Sequence, residues 1–212
     1  MKQGLFITLE GGDGAGKSTQ MNNIEKYFTD RGYECVRTRE PGGTAIGEAL
    51  REILLNPANE EMSDVTEMLV YAASRAQHVR EFIRPAIADG QIVICDRFVD
   101  SSYAYQKYGR ELGDMVEVVN GYAIDGLMPN ITFWMDINPE AGRERIGHRE
   151  DSSLDRLERE KMDFHYRVYD GYQQLCERYP DRFKRIDATR TIEEMRDEIY
   201  GYLDELCARI YR

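Results

Sequence analysis

The sequence is poor in the residues that make staples, spans or nucleic-acid-binding faces. Its 212 residues include only four cysteines and three histidines. Cys35, Cys95, Cys176 and Cys207 show neither C-x-x-C nor zinc-ligand spacing. Three of them (Cys35, Cys95 and Cys207) sit among apolar residues and read as small core side chains, which points to a reducing compartment. No stretch approaches the ~20 consecutive apolar residues of a bilayer span. The apolar run Leu5–Leu9 is broken by Glu10 and glycines, unlike a secretory leader, so a cytoplasmic location is expected. Lysine is scarce as well, at six of the 28 basic residues. Set against 39 acidic residues, these give a net charge of −11, which argues against a nucleic-acid polymer or an anionic membrane as partner. A small anion remains admissible, because a few local arginines outweigh a distant acidic surface. Internal repeats and Pro/Gly/Ser-rich linkers are also lacking, so one domain over 1–212 is expected. A chain of this length buries roughly 70% of its unfolded surface without cross-links.

What is present alternates. Residues 5–10, 33–38, 91–96, 130–136 and 182–187 are short apolar runs with strand character. Helical periodicity fills the intervals. It is clearest at the end, where Ile192, Met195, Ile199, Tyr202, Leu206 and Ile210 follow a capping-box pair, Thr191 and Glu194. Such alternation predicts an α/β fold, a five-stranded parallel sheet flanked by helices in three layers. Residues 143–151 depart from the pattern: they are polar but for Ile146, with Arg143, Arg145 and Arg149 around a glycine, and read as exposed.

Gly11-Gly12-Asp13-Gly14-Ala15-Gly16-Lys17-Ser18 fits G-x-x-x-x-G-K-[ST]. A chance match in a chain of this length is on the order of 1%. The motif lies between a strand and a helix, the arrangement it requires. Its glycines let backbone N–H groups, through Thr19, converge on phosphate oxygens at a helix N-terminus. Lys17 is placed to reach the β- and γ-phosphates, and the Ser18 hydroxyl to ligate Mg²⁺. Ile92–Asp96 is an apolar strand ending in a carboxylate, a second partner for magnesium. A nucleoside triphosphate is therefore expected here.

The accepting side is carried by Arg39-Glu40-Pro41-Gly42-Gly43-Thr44 after the second strand, by Asp96-Arg97-Phe98, and by the hydrogen-bonding run Asp100–Gln106. Together with Tyr71–His78, an arginine-rich LID at about 139–156 and Leu154–Glu158, these segments resemble the bacterial thymidylate kinases over essentially the whole chain. The resemblance implies phosphorylation of dTMP to dTDP by Mg-ATP, and a homodimer with the helical region 63–89 at its interface. It implies that Tyr71, where the family usually has Phe, stacks on the base. Arg75, four residues on, would bond O4. Arg39 and Arg97 would grip the dTMP phosphate, and Asp13 would accept the 3′-hydroxyl. Glu40 and Asp96 would lie near magnesium, with Pro41, Ser102, Tyr105 and Gln106 around the base and sugar. Because the phosphate loop has no arginine, Arg143, Arg145, Arg149 and, further on, Arg156 are candidates to supply charge from the LID, with Arg143 on the ATP side. The acceptor, a phosphate monoester with a second pKa of ~6, is already ionised, so no general base is required. A kinase for UMP or dUMP stays open as an alternative. A GTP-binding switch is disfavoured by the lack of N-K-x-D.

Overall fold

The computed structural model describes residues 3–147 and 154–211. Five parallel strands form one sheet in the order β2-β3-β1-β4-β5: β1 (Leu5–Glu10), β2 (Cys35–Arg39), β3 (Ile92–Asp96), β4 (Ile131–Asp136) and β5 (Phe183–Asp187). The strands are those expected from the sequence, with ends shifted by a residue or two. The start of β2 has a physical cause: the Tyr33 N–H caps α1 through the Phe28 carbonyl, with Gly32 at φ 75, so the ladder opens only at Cys35.

Period-two alternation in β1 divides the core. Leu5, Ile7 and Leu9 face α1 (Lys17–Thr29) and α9 (Ile192–Ile210), packing on Ile24, Phe28, Ile199 and Leu203. Phe6 faces the other layer. That layer contains α3 (Asp64–His78), α4 (Arg84–Ala88), α5 (Val99–Ser102), α6 (Met115–Ile124) and α8 (Met162–Arg178), while α2 (Ala45–Leu55) packs beside α3. A short α7 (Pro139–Ile146) follows β4. The region 63–89 is not one regular helix. A π-helical turn at Val79–Ile83 separates α3 from α4, just before Pro85, which has no N–H for the α-helical ladder. A second π-helical segment, Tyr103–Gly109, extends α5. Among the described residues no helix is long and apolar enough to cross a membrane. All four cysteines are unpaired, and Cys95 is in the core as expected.

Two polar residues of β1 share the Phe6 side of the sheet and are fully buried. Thr8 bonds Thr132 at 2.8 Å, which leads to Asp100 and its bidentate partner Arg182 (2.6 and 2.8 Å). Glu10 accepts from the Phe98 N–H at 2.8 Å, from Tyr172 at 2.9 Å and from Ser101. This layer secures the turn after β3 directly beneath the phosphate loop. Burial, together with the nearby Asp100 carboxylate, pushes Glu10 up to about 7, against the opposing effects of Ser101, Arg97 and the Phe98 N–H.

Between its ordinary value of 4.5 and about 7, folded Glu10 holds a proton that the unfolded chain has released. Its contribution to stability therefore falls as pH rises through that window. Glu10→Gln removes this titration. Melting temperatures measured from pH 4.5 to neutrality are expected to decline less steeply for the variant than for the wild type, and equal slopes would rule Glu10 out as a source of the decline.

Candidate active site

The sheet order makes β1 and β3 the point where connections diverge. Their carboxyl ends, with that of β2, open a crevice of the kind in which α/β sheets bind ligands. Strand register sets Arg39 opposite Asp96, and Asp96 opposite Leu9, so the chain segments that follow emerge side by side.

Gly11, at φ 128, turns the chain out of β1 so close to β4 that a Cβ there would stand 2.6 Å from the Met135 carbonyl. Gly16, at φ 87, is the residue before α1, whose first turn carries Lys17, Ser18 and Thr19. Lys17 is buried, and its ammonium folds back onto the Gly11 and Gly12 carbonyls at 3.1 Å each. Burial pulls its pKa down, helped by the positive charge of Arg97 and opposed by Asp96, Asp13 and Glu10. Gly12, Gly14 and Ala15 complete the loop. Gly142 of α7 presses on it, with an added Cβ only 2.9 Å from the Asp13 carbonyl.

One cavity brings together Asp13, Lys17, Arg39, Glu40, Pro41, Tyr71, Arg75, Asp96, Arg97, Ser102, Tyr105 and Gln106. Arg97, in its lining, has a backbone in the left-handed region, φ 66. Its guanidinium reaches Asp13 at 3.3 Å and the Tyr172 hydroxyl at 3.5 Å, and lies 5.3 Å from the Tyr105 ring centre. Arg39 is exposed and paired with Glu48 at 3.0 Å, leaving its position adjustable. Arg75 is 1% exposed, and four of its five N–H groups are used: Nε on Glu40 at 2.7 Å, Nη1 on Ser102 at 2.9 Å and on Asn120, and Nη2 on the Phe98 carbonyl at 3.1 Å. Burial pushes the Tyr71 phenol well above the ordinary tyrosine value and raises Tyr105 to about 12, so both rings are neutral walls.

Two expected site residues are held by other side chains. Glu40 Oε2 accepts from Arg75, while Oε1 faces His78 Nδ1 at 3.0 Å, and that ring is held by Thr38 at 2.7 Å. Each carboxylate oxygen thus has one partner within the protein. Arg156 does not reach into the site as a LID arginine. It is buried, donating to the Leu54 carbonyl at 2.9 Å and to Glu67 at 2.6 Å. Arg143 lies on α7 in a neighbouring groove floored by Trp134 and Tyr172, with Nη1 3.4 Å from Met162 Sδ. Arg145 is exposed and lines neither space. Arg149 lies outside the described residues.

Asp96 remains available to a cation. Its Oδ1 is buried without a hydrogen bond, 4.0 Å from the Lys17 ammonium. A hard, acceptor-only oxygen beside the α1 N-terminus, where Ser18 is exposed, fits Mg²⁺ held partly by protein and partly by phosphate and water.

The cavity also contains residues that sequence reasoning missed, among them Arg51, Asp155, Glu158 and His165. Arg51 donates to the Pro41 carbonyl at 2.9 Å. Asp155 and Glu158 flank the corrected Arg156 in a segment that had been noted for its pattern but not assigned. No local signal marked His165.

The thymidylate kinase family profile matches residues 9–199. Thymidylate kinase of Clostridium novyi (strain NT) is 47% identical over 204 residues, covering 96% of this chain and 100% of its own length. That of Exiguobacterium sp. (strain ATCC BAA-1283 / AT1b) is 48% identical over 203 residues, covering 95% of each. The crystal structure of thymidylate kinase from Ehrlichia chaffeensis superposes with a TM-score of 0.76 at 32% identity, covering 95% of this chain and 99% of that one. The chain belongs to the thymidylate kinase family.

Proposed function

We propose that the protein transfers the γ-phosphoryl group of Mg-ATP to dTMP, giving dTDP and ADP. The observation that carries this reading is a single cavity lined both by Lys17 of the phosphate loop and by Tyr71 and Arg75 of α3, with the Arg97–Asp13 pair in the same lining. A dTMP phosphate oxygen attacks the γ-phosphorus as the bond to the bridging β–γ oxygen breaks, and ADP departs with that oxygen. The acceptor is already an anion at neutral pH, so no side chain has to remove a proton. Work by this chain is positioning and charge neutralisation. The loop N–H groups from Gly11 to Thr19 and Lys17 hold the donor. Arg39 and Arg97 hold the acceptor phosphate, and Asp13 receives the 3′-hydroxyl. Tyr71 stacks on thymine, with Ser102, Tyr105 and Gln106 around base and sugar. Ser18 and Asp96 hold Mg²⁺, which when bound offsets charge on the β- and γ-oxygens. Arg143, Arg145 and Arg149 are the candidates to supply positive charge to the donor, and exclusion of water from the site removes a competing acceptor.

A second copy of the chain is the partner we assign, within a single-domain, cytoplasmic protein. Apolar side chains at helical spacing are exposed on three neighbouring helices: Ile46 and Ile53 of α2, Val65 and Leu69 of α3, and Met115, Val118 and Tyr122 of α6. Exposed apolar side chains grouped on helices that pack against one another suit an interaction surface.

Initial rates of ADP formation with ATP, Mg²⁺ and a panel of dTMP, dUMP, UMP and dCMP test the function, with dTMP expected to give the highest kcat/KM. Preference for UMP would move the assignment to another pyrimidine kinase. Lys17→Met is expected to lower kcat roughly 10²–10³-fold, the scale of losing one charge-stabilising donor. Leu69→Glu is expected to shift the sedimentation coefficient from dimer to monomer; an unchanged value would place the contact elsewhere.

A further inference from the structure

Gln106 forms part of the wall of the acceptor cavity with Tyr71 and Arg75, and is 1% exposed. A glutamine amide has a donor end and an acceptor end, and which end meets a ligand decides what the position recognises. Here Glu67 decides it. Gln106 Nε2 donates to Glu67 Oε1 at 2.8 Å. The same carboxylate receives Arg110 through Nε at 3.3 Å and Nη2 at 2.9 Å, and Arg156 through Nη2 at 2.6 Å. Burial works against ionisation of Glu67, but hydrogen bonds and charge from Arg110, the Gln106 amide and Arg156 outweigh it and hold its pKa below the ordinary value. An ionised carboxylate has no proton to give. Turning the amide over would set two acceptors face to face in a buried site, which costs a hydrogen bond and adds repulsion. One N–H of the amide is thus spent on Glu67, which fixes the side of the amide on which the carbonyl oxygen is offered to the cavity.

We infer that Glu67 is a specificity-determining positioning residue, which locks the Gln106 amide so that it offers an acceptor to the base and selects pyrimidines bearing a ring N3–H. The inference rests on the dTMP reading. Thymine presents an acceptor at O4 and a donor at N3. Arg75, with its one remaining N–H, and Gln106, with its carbonyl, form the complementary pair. Cytosine reverses both, offering an amino donor toward Arg75 and a lone pair toward Gln106. Glu67, Tyr71 and Arg75 follow one another at i, i+4 and i+8 along α3, so the residue that sets the amide lies on the same helical face as the two that meet the base.

The test compares kcat/KM for dTMP, dCMP and 3-deaza-dTMP, which carries C–H in place of N3–H. In Glu67→Gln the neighbouring amide no longer dictates one orientation. The dTMP/dCMP ratio is expected to fall about tenfold or more, one hydrogen bond's worth. Glu67→Asp keeps an acceptor-only partner and is expected to retain the wild-type ratio even if its melting temperature drops. Should Glu67→Gln fail to fold, Gln106→Leu carries the test: the penalty for 3-deaza-dTMP relative to dTMP is expected to vanish. An unchanged ratio in a folded Glu67→Gln, a persistent 3-deaza penalty in Gln106→Leu, or equal losses in Glu67→Asp and Glu67→Gln would each overturn the inference. Wild-type protein inactive on dTMP would overturn the functional reading itself, whereas activity with unaltered discrimination in the variants would overturn only the role of Glu67.

Discussion

The acceptor half of the molecule depends on one buried ion pair, Arg75 with Glu40 at 2.7 Å, both within a few per cent of full burial. Bringing two charges out of water is expensive, and their attraction repays it only when the remaining hydrogen-bonding capacity is also satisfied. Here it is satisfied. Arg75 reaches the turn after β3, Ser102 of α5 and Asn120 of α6, while Glu40 also takes His78 from the end of α3. Four separate stretches of chain are thereby held in register around one guanidinium. Removing either partner would leave the other charged and buried, so the pair acts more as a geometric clamp than as a net source of stability.

This clamp resolves the tension between a net charge of −11 and a site for two polyanions. Acidic residues dominate the solvated shell, where water and salt screen them. Inside the cavity Lys17, Arg39, Arg51, Arg75 and Arg97 face carboxylates of which Glu40 is engaged by Arg75 and His78, Asp13 in part by Arg97, and Asp96 is left for a cation. What a mononucleotide meets is the local balance. A polymer would meet the shell.

Much of this was legible in the sequence, for reasons that differ between elements. The phosphate loop was readable because its glycines, Lys17 and Ser18 act through local backbone geometry. The strands were readable because burial on both faces demands continuous apolar runs such as Ile92–Cys95. Arg156 was misread because its partner, Glu67, lies 89 residues away, and nothing in the local pattern distinguishes a buried anchor from a mobile arginine. The partners of Glu40 were equally hidden: nothing near a carboxylate after a strand announces that Arg75 and His78 fold against it. The π-helical turns at Val79–Ile83 and Tyr103–Gly109 were not foreseen, since an extra residue per turn leaves almost no trace in hydrophobic periodicity.

Gly142 adds a consequence of another kind. Its Cα faces the Asp13 carbonyl so closely that any side chain would force α7 away from the phosphate loop. The next three positions, Arg143, Glu144 and Arg145, are exposed. Within four consecutive residues, then, one position is closed by sterics and three are limited chiefly by what their charges do. A side chain at Gly142 would move those charges relative to the phosphate loop, whereas a change at Arg143 or Arg145 would alter the charge itself.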